Sequence, residues 1–156
     1  MLELDTFKTV IQSTPLVSID FIVRNASGQI LLGKRNNRPA KGYWFVPGGR
    51  ILKDEAFSVA IARLLNQELG LEANSAQFKG IYQHFYDDNF SADDFTTHYV
   101  VLAYELRVER ALLALPEEQH CEYQWFTEEA LLLDRDVHEH CKWYFLERKQ
   151  VDAKFI

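Results

Sequence analysis

Two glycines follow a proline at Pro47-Gly48-Gly49, between an apolar stretch and a helical pattern, and there the backbone can come close to a ligand. The helix start beyond them offers free N–H groups to anions, so the turn is a candidate phosphate and metal site. When residues 54–69 are projected at about 100° per residue, Ala56, Phe57, Ala60, Ile61, Leu64 and Leu65 gather on one side. Glu55, Ser58, Ala62 and Asn66 gather on the other, while Glu68 falls in the apolar set. A carboxylate on a buried face is costly unless a cation compensates it. Magnesium would do so, because carboxylate and carbonyl oxygens suit a hard divalent ion; an ion pair with Arg63, or a bend back to water, would serve as well.

Cations and proton carriers lie on either side of this turn. Lys34, Arg35 and Arg38 precede it and Arg50 follows it, so they can converge on a diphosphate through charge-assisted bonds, or form a solvated basic loop. Asp20 stands mid-strand among apolar residues, either as a structural hydrogen-bond acceptor or as a site residue. The acidic run at residues 87–94 lacks the spacing of a calcium loop and reads as solvated surface or as a loop closing over a ligand. His120, after Gln119 on an expected loop, has a side chain suited to accepting a proton near neutral pH.

The elements that must position these residues follow from periodicity. Residues 4–12 read as a short helix, and residues 16–24 as a strand alternating Val17, Ile19, Phe21 and Val23 against Ser18, Asp20 and Ile22. A turn at residues 25–28 leads to a second strand at 29–35. Beyond the helix at 54–69, which ends at Gly70, strands are expected at 78–86, 97–108 and 122–126. In the first of these, Phe78, Tyr82, His84 and Tyr86 share a side. Thr127 can cap a helix, and a final amphipathic helix is expected over 136–150.

Composition narrows the class. The 156 residues, 47% hydrophobic, fit one folded domain, 1–156. A net charge of −6 argues against broad binding to nucleic acid or to an anionic membrane, so anion recognition falls to a few placed arginines. The start of the chain lacks the pattern of a secretory signal, and no apolar run approaches membrane-spanning length, so a cytoplasmic protein is expected. Cys121 and Cys141 read as reduced thiols.

The central stretch resembles the Nudix hydrolase box, G-x5-E-x7-R-E-U-x-E-E-x-G-U with U aliphatic, through Gly49, Glu55, Arg63, Leu65, Glu68, Gly70 and Leu71. It departs at Leu64 and Gln67, where the box has carboxylates that hold further metal ions and activate water. These departures resemble those of the GDP-mannose mannosyl hydrolase branch, as do the blocks at residues 14–23, 31–50, 83–90 and 94–101. The resemblance implies an α/β/α sandwich around a mixed β-sheet and a homodimer. It implies hydrolysis of a GDP-sugar to GDP and free sugar, by inverting water attack at the anomeric carbon. One Mg²⁺ per subunit, for which Mn²⁺ may substitute, is expected on the Gly48 carbonyl, Glu68 and Gln119. Arg35, Arg50 and Tyr99 are expected on phosphate oxygens, His120 as general base, and Asp20 and His84 beside the sugar. Glu55 and Arg63 are expected to form an ion pair supporting the turn. The alternatives are a Nudix pyrophosphatase giving GMP and a sugar 1-phosphate, and a catalytically silent nucleotide-sugar sensor.

Overall fold

A computed structural model describes residues 2–72, 75–109, 115 and 120–146. In chain order the elements are α1 (Leu4–Ser13), β1 (Leu16–Arg24), β2 (Ile30–Arg35), β3 (Trp44–Phe45), β4 (Gly48–Arg50) and α2 (Phe57–Leu69). Then come β5 (Gln77–Tyr86), β6 (Thr97–Arg107), β7 (His120–Phe126), α3 (Glu128–Leu133), α4 (Glu139–Lys142) and a 3-10 turn (Trp143–Phe145). The strands form one mixed sheet in the order β3-β2-β1-β6-β5, with β4 also paired to β1 and β7 to β2. Strands β1 and β6 run parallel, and the other pairs are antiparallel.

The period-two alternation of β1 feeds two cores, one on each face of the sheet. Ile19, Phe21 and Val23 pack with Ala60, Leu64, Leu65 and Leu69 of α2, while Ile22 packs with Leu131 of α3 and Cys141 of α4. Helices therefore flank the sheet as expected. Asp20 and Ser18 share parity with Ile22 and project from the face opposite α2. Among the described residues, no helix is long and apolar enough to cross a membrane.

Three expectations are corrected. The helix of the central stretch begins at Phe57, not at residue 54, because Asp54 takes φ +63° and Glu55 turns its carboxylate back onto the Leu52 amide. The apolar face consequently opens at Ala60, and Phe57 is exposed. Phe78 leaves the side shared by Tyr82, His84 and Tyr86, because a bulge between Phe78 and Gly80 shifts the register against β6 and changes the strand's parity. The last helix starts at Glu139, capped by the His138 ring, and passes into the 3-10 turn at Trp143. Its expected continuation beyond residue 146 lies outside the described residues, as does the side chain of Cys121.

The turn between β4 and α2 is clamped by one side chain. Arg63 donates to Glu55 from Nε at 2.6 Å and from Nη2 at 2.9 Å, to the Arg50 carbonyl at 2.9 Å, and to Gln67 Oε1 at 3.0 Å. The expected ion pair is present, and with the bond to the Arg50 carbonyl it ties the loop before α2 and the end of β4 to the second turn of the helix. These bonds, the Arg63 contact first, hold the Glu55 carboxyl down at about 2. A carboxyl depressed in the folded state stabilises the fold above its ordinary value of 4.5 and loses that contribution as pH falls toward about 2. Glu55→Gln is expected to lower the midpoint of thermal unfolding at neutral pH. The deficit against the unaltered protein should narrow across that acidic window in calorimetric scans.

Candidate active site

The site is built where β4 closes on β1. Asp20 stands opposite Gly48, Ile19 opposite Gly49 and Ser18 opposite Arg50. A Cβ added to Gly48 would lie 2.4 Å from Asp20 Oδ1 and 2.5 Å from the Ile19 carbonyl oxygen, so only glycine lets the two strands meet here. A Cβ on Gly49 would strike the Leu64 side chain at 2.5 Å. The turn is thus pressed between a carboxylate on one side and an apolar helix residue on the other.

Above it opens a cavity of about 510 Å³. Asp20, Arg35, Gly48, Arg50, His84 and Tyr99 all line it, so six expected site residues from five strands meet in one place. Arg38 joins Arg35 and Arg50 there. A more open cavity of about 700 Å³ shares Arg38 and Tyr86 with the first and carries Asp87, Asp88 and Glu139.

Sequence reasoning missed three residues of this region. Phe7 of α1 and Phe90 of the acidic loop line the first cavity, their rings 5.0 Å apart, with the Arg50 guanidinium 4.3 Å from the Phe7 ring centre. The sequence showed a short helix at α1 but carried no hint of a cavity there. Tyr144, 124 residues from Asp20, donates its hydroxyl to Asp20 Oδ2. A contact at that separation leaves no local signal in the sequence. The acidic loop is ordered by the buried Asn89, which donates to the Asp93 and Phe95 carbonyls at 2.7 Å each.

Burial sets the protonation states. It pushes the Asp20 carboxyl up to about 7, against the opposing pull of the Tyr144 hydrogen bond and the Arg35 charge. His84 is held down at about 2 by burial and by the neighbouring His140 and His138, so it is neutral. Tyr99 is raised by burial, while Arg35 and Arg50 draw it back.

The expected base is not at the cavity wall, and of the expected metal ligands Gly48 lines the cavity while Glu68 is not among its lining residues. His120 is 1% exposed, stands in register opposite Arg35, and is not among the residues lining the cavity. Its ring lies on Gly33, where an added Cβ would be 2.6 Å from Cγ and Cδ2. Neither ring nitrogen has a hydrogen-bond partner among the described residues. Burial first, then the Arg35 charge, lowers this imidazole to about 4, so it is a neutral proton acceptor at physiological pH. Glu68 is 8% exposed on the buried face of α2, as the projection required, and its charge is the smallest of the influences raising the Arg63 pKa. Gln119 lies outside the described residues.

The two departures from the box have structural explanations. Leu64 is 3% exposed in the core and covers Gly49; a carboxylate there would be a buried charge costing several kcal/mol without a cation. Gln67 accepts the Arg63 hydrogen bond. Among the described residues, no group of three or more His, Cys, Asp or Glu side chains could hold a metal. The expected ligands, the Gly48 carbonyl, Glu68 and Gln119, are oxygen donors with one carboxylate, a kind of set that suits an ion that keeps waters and shares phosphate oxygens, as magnesium does.

Known proteins agree with this architecture. The NUDIX domain model matches residues 14–147. A relative from Haloferax volcanii, described as low-salt glycan biosynthesis protein Agl8, is 34% identical over 122 residues, covering 78% of this chain and 77% of its own. The crystal structure of MutT protein from Methanosarcina mazei Go1 superposes with a TM-score of 0.71 at 23% identity, covering 85% of this chain and 92% of that one. The NUDIX domain of Shewanella oneidensis NrtR complexed with ADP ribose gives a TM-score of 0.63 at 17% identity, covering 95% and 97%. The mixed sheet flanked by helices is the fold of these structures.

Asp20 gives a test that needs no substrate. A carboxyl raised by burial from its ordinary 3.8 to about 7 costs the fold nothing below the lower value and its full penalty above the higher one. Asp20→Asn is therefore expected to gain thermal stability over the unaltered protein as pH rises through that window, in scans without divalent cation. Equal midpoints at every pH would contradict the assigned burial of charge.

Proposed function

The chain belongs to the Nudix family, and from that premise we propose that it hydrolyses a GDP-hexose, GDP-mannose foremost, to GDP and the free sugar. The observation that carries this reading is the depleted box helix: Leu64 is core and Gln67 is tied to Arg63, so one carboxylate of the helix end, Glu68, remains for a metal. Attack on phosphorus by a water held between several metal ions has lost its ligands, whereas departure of a diphosphate from carbon needs mainly positive charge on the leaving group.

In the proposed reaction, the oxygen of a water bonds to the anomeric carbon on the face opposite the diphosphate. The C1–O bond to the diphosphate breaks with its electron pair going to that oxygen, so the configuration inverts. His120 accepts the water proton at its unprotonated ring nitrogen, the one acceptor of a neutral imidazole, which has no partner among the described residues. To do so it must meet the water beside Arg35, its partner across the β2–β7 ladder. Arg35, Arg50 and Tyr99 receive the diphosphate, and Asp20 and His84 orient the sugar. Mg²⁺, or Mn²⁺ in its place, would be held by the Gly48 carbonyl, Glu68 and Gln119 and would supply charge to neutralise the departing GDP. The adjoining cavity gives a two-ended ligand room on both sides of Arg38. The glycan-biosynthesis description of the Haloferax relative is compatible with a nucleotide-sugar substrate. The working unit is proposed to be a homodimer of single-domain subunits.

Product identity tests the proposal. Incubation of GDP-mannose with magnesium in ¹⁸O-water is expected to give GDP and mannose carrying the label at C1; GMP and mannose 1-phosphate would identify a pyrophosphatase instead. His120→Ala should retain GDP binding and lose about 10²- to 10⁴-fold in kcat, the usual contribution of a positioned base. Turnover near that of the unaltered protein would remove His120 from the mechanism.

A further inference from the structure

Behind the cavity, three side chains from distant parts of the chain form a directed line. Tyr144 stands in the 3-10 turn after α4 and is not among the residues that line the cavity. Its hydroxyl meets Asp20 Oδ2 of β1 and lies 3.3 Å from His84 Nε2 of β5. The ring is held edge-on to Tyr82 at 4.8 Å and tilted against His84 at 5.7 Å, so packing from two sides fixes where the hydroxyl sits.

We propose that Tyr144 is a positioning residue of this site, setting the donor and acceptor pattern that Asp20 and His84 present to the sugar. The inference rests on the reading of those two residues as the sugar-binding end of the site.

The direction of the line follows from counting protons. With Asp20 in its carboxylate form, which can only accept, the phenol's one proton goes to the close contact at Oδ2. The phenolic oxygen can then only accept at its second contact, so the proton there belongs to His84 Nε2. His84 is stacked at 4.5 Å on His140 and is neutral, and a neutral imidazole has one N–H. That N–H is thereby assigned to Nε2, leaving Nδ1 as an acceptor. On the carboxylate, Oδ2 is engaged by Tyr144 while Oδ1 faces the Gly48 backbone, so the side chain cannot rotate without losing one contact or meeting the other strand. A hexose hydroxyl can donate or accept, so a site that discriminates among sugars needs its own pattern fixed in advance. The hydroxyl of Tyr144 fixes it without touching the ligand.

Two measurements on Tyr144→Phe test the assignment. The first needs no substrate: the ¹⁵N shifts of the His84 imidazole should place the proton on Nε2 in the unaltered protein and show a tautomer mixture in the variant. A proton on Nδ1 in the unaltered protein overturns the proposal, even if the variant fails to fold. The second is kinetic, with GDP-mannose: kcat/KM should fall about tenfold, the size expected for one lost hydrogen bond to a charged group. The inhibition constant of GDP, which lacks the sugar, should stay unchanged. Adding Tyr144→Phe to Asp20→Asn should cost less than it does alone, because Tyr144 acts in part through Asp20. Unchanged kcat/KM, or full additivity, overturns the proposal. If the unaltered protein releases no mannose, the sugar-hydrolase reading fails on its own, and the tautomer measurement still decides whether Tyr144 orders the pair.

Discussion

The close approach of β4 to β1 is the constraint on which the site depends. Backbone at Gly48 occupies space that any side chain would need, with Asp20 Oδ1 and the Ile19 carbonyl within 2.5 Å of where a Cβ would stand. The ladder pairing of Ser18, Ile19 and Asp20 with Arg50, Gly49 and Gly48 follows from that approach. It brings Arg50 to the cavity edge and holds Gly49 under Leu64 of α2. Arg63 then closes the arrangement from the helix side by binding the Arg50 carbonyl and Glu55 together. The box is in this sense a device for fixing backbone, and its structural members, glycines, Glu55 and Arg63, are intact.

Charge is arranged against the trend of the whole chain. A protein of net charge −6 gathers Arg35, Arg38 and Arg50 around one cavity. The ionisable groups around them are shifted toward their neutral forms by burial: Asp20 and Tyr99 upward, His84 and His120 downward. Arg35 acts on all of these except His84, opposing the burial of the acids and reinforcing that of His120. The result is an anion-attracting pocket with few compensating negative charges inside it. Such a pocket favours a ligand that brings its own charge, as a diphosphate does.

Much of this was legible in the sequence, and the exceptions share a cause. The alternation of β1 predicted its bounds and set Asp20 on the side away from Ile19 and Phe21, because a strand's parity is local. Helical projection placed Glu68 on the buried face for the same reason, and Gly70 ends α2 as expected. The expected start of α2 failed because the backbone at residues 54–56 answers to Arg63, eight residues beyond Glu55, rather than to helical propensity. Phe78 failed because a single bulge inverts parity, and no residue type announces one. Tyr144 and Phe7 escaped notice because their contacts exist only once α1 and the 3-10 turn are packed on the sheet.

The remaining tension lies at His120. A buried imidazole with both nitrogens lacking partners among the described residues is an unfavourable arrangement, since an unsatisfied buried polar group costs about 1–3 kcal/mol. The pressure of Gly33 against the ring reinforces the point: the β2 backbone has given up a side chain to admit this histidine. An apolar residue of similar volume would fill the space without the penalty. Within the proposed function, a water and ligand that reach the ring during turnover account for it. On that account the cost carried by the folded protein keeps a neutral imidazole directly across the ladder from Arg35, where the proposed reaction needs its base, and a purely structural role gives no reason for choosing histidine there.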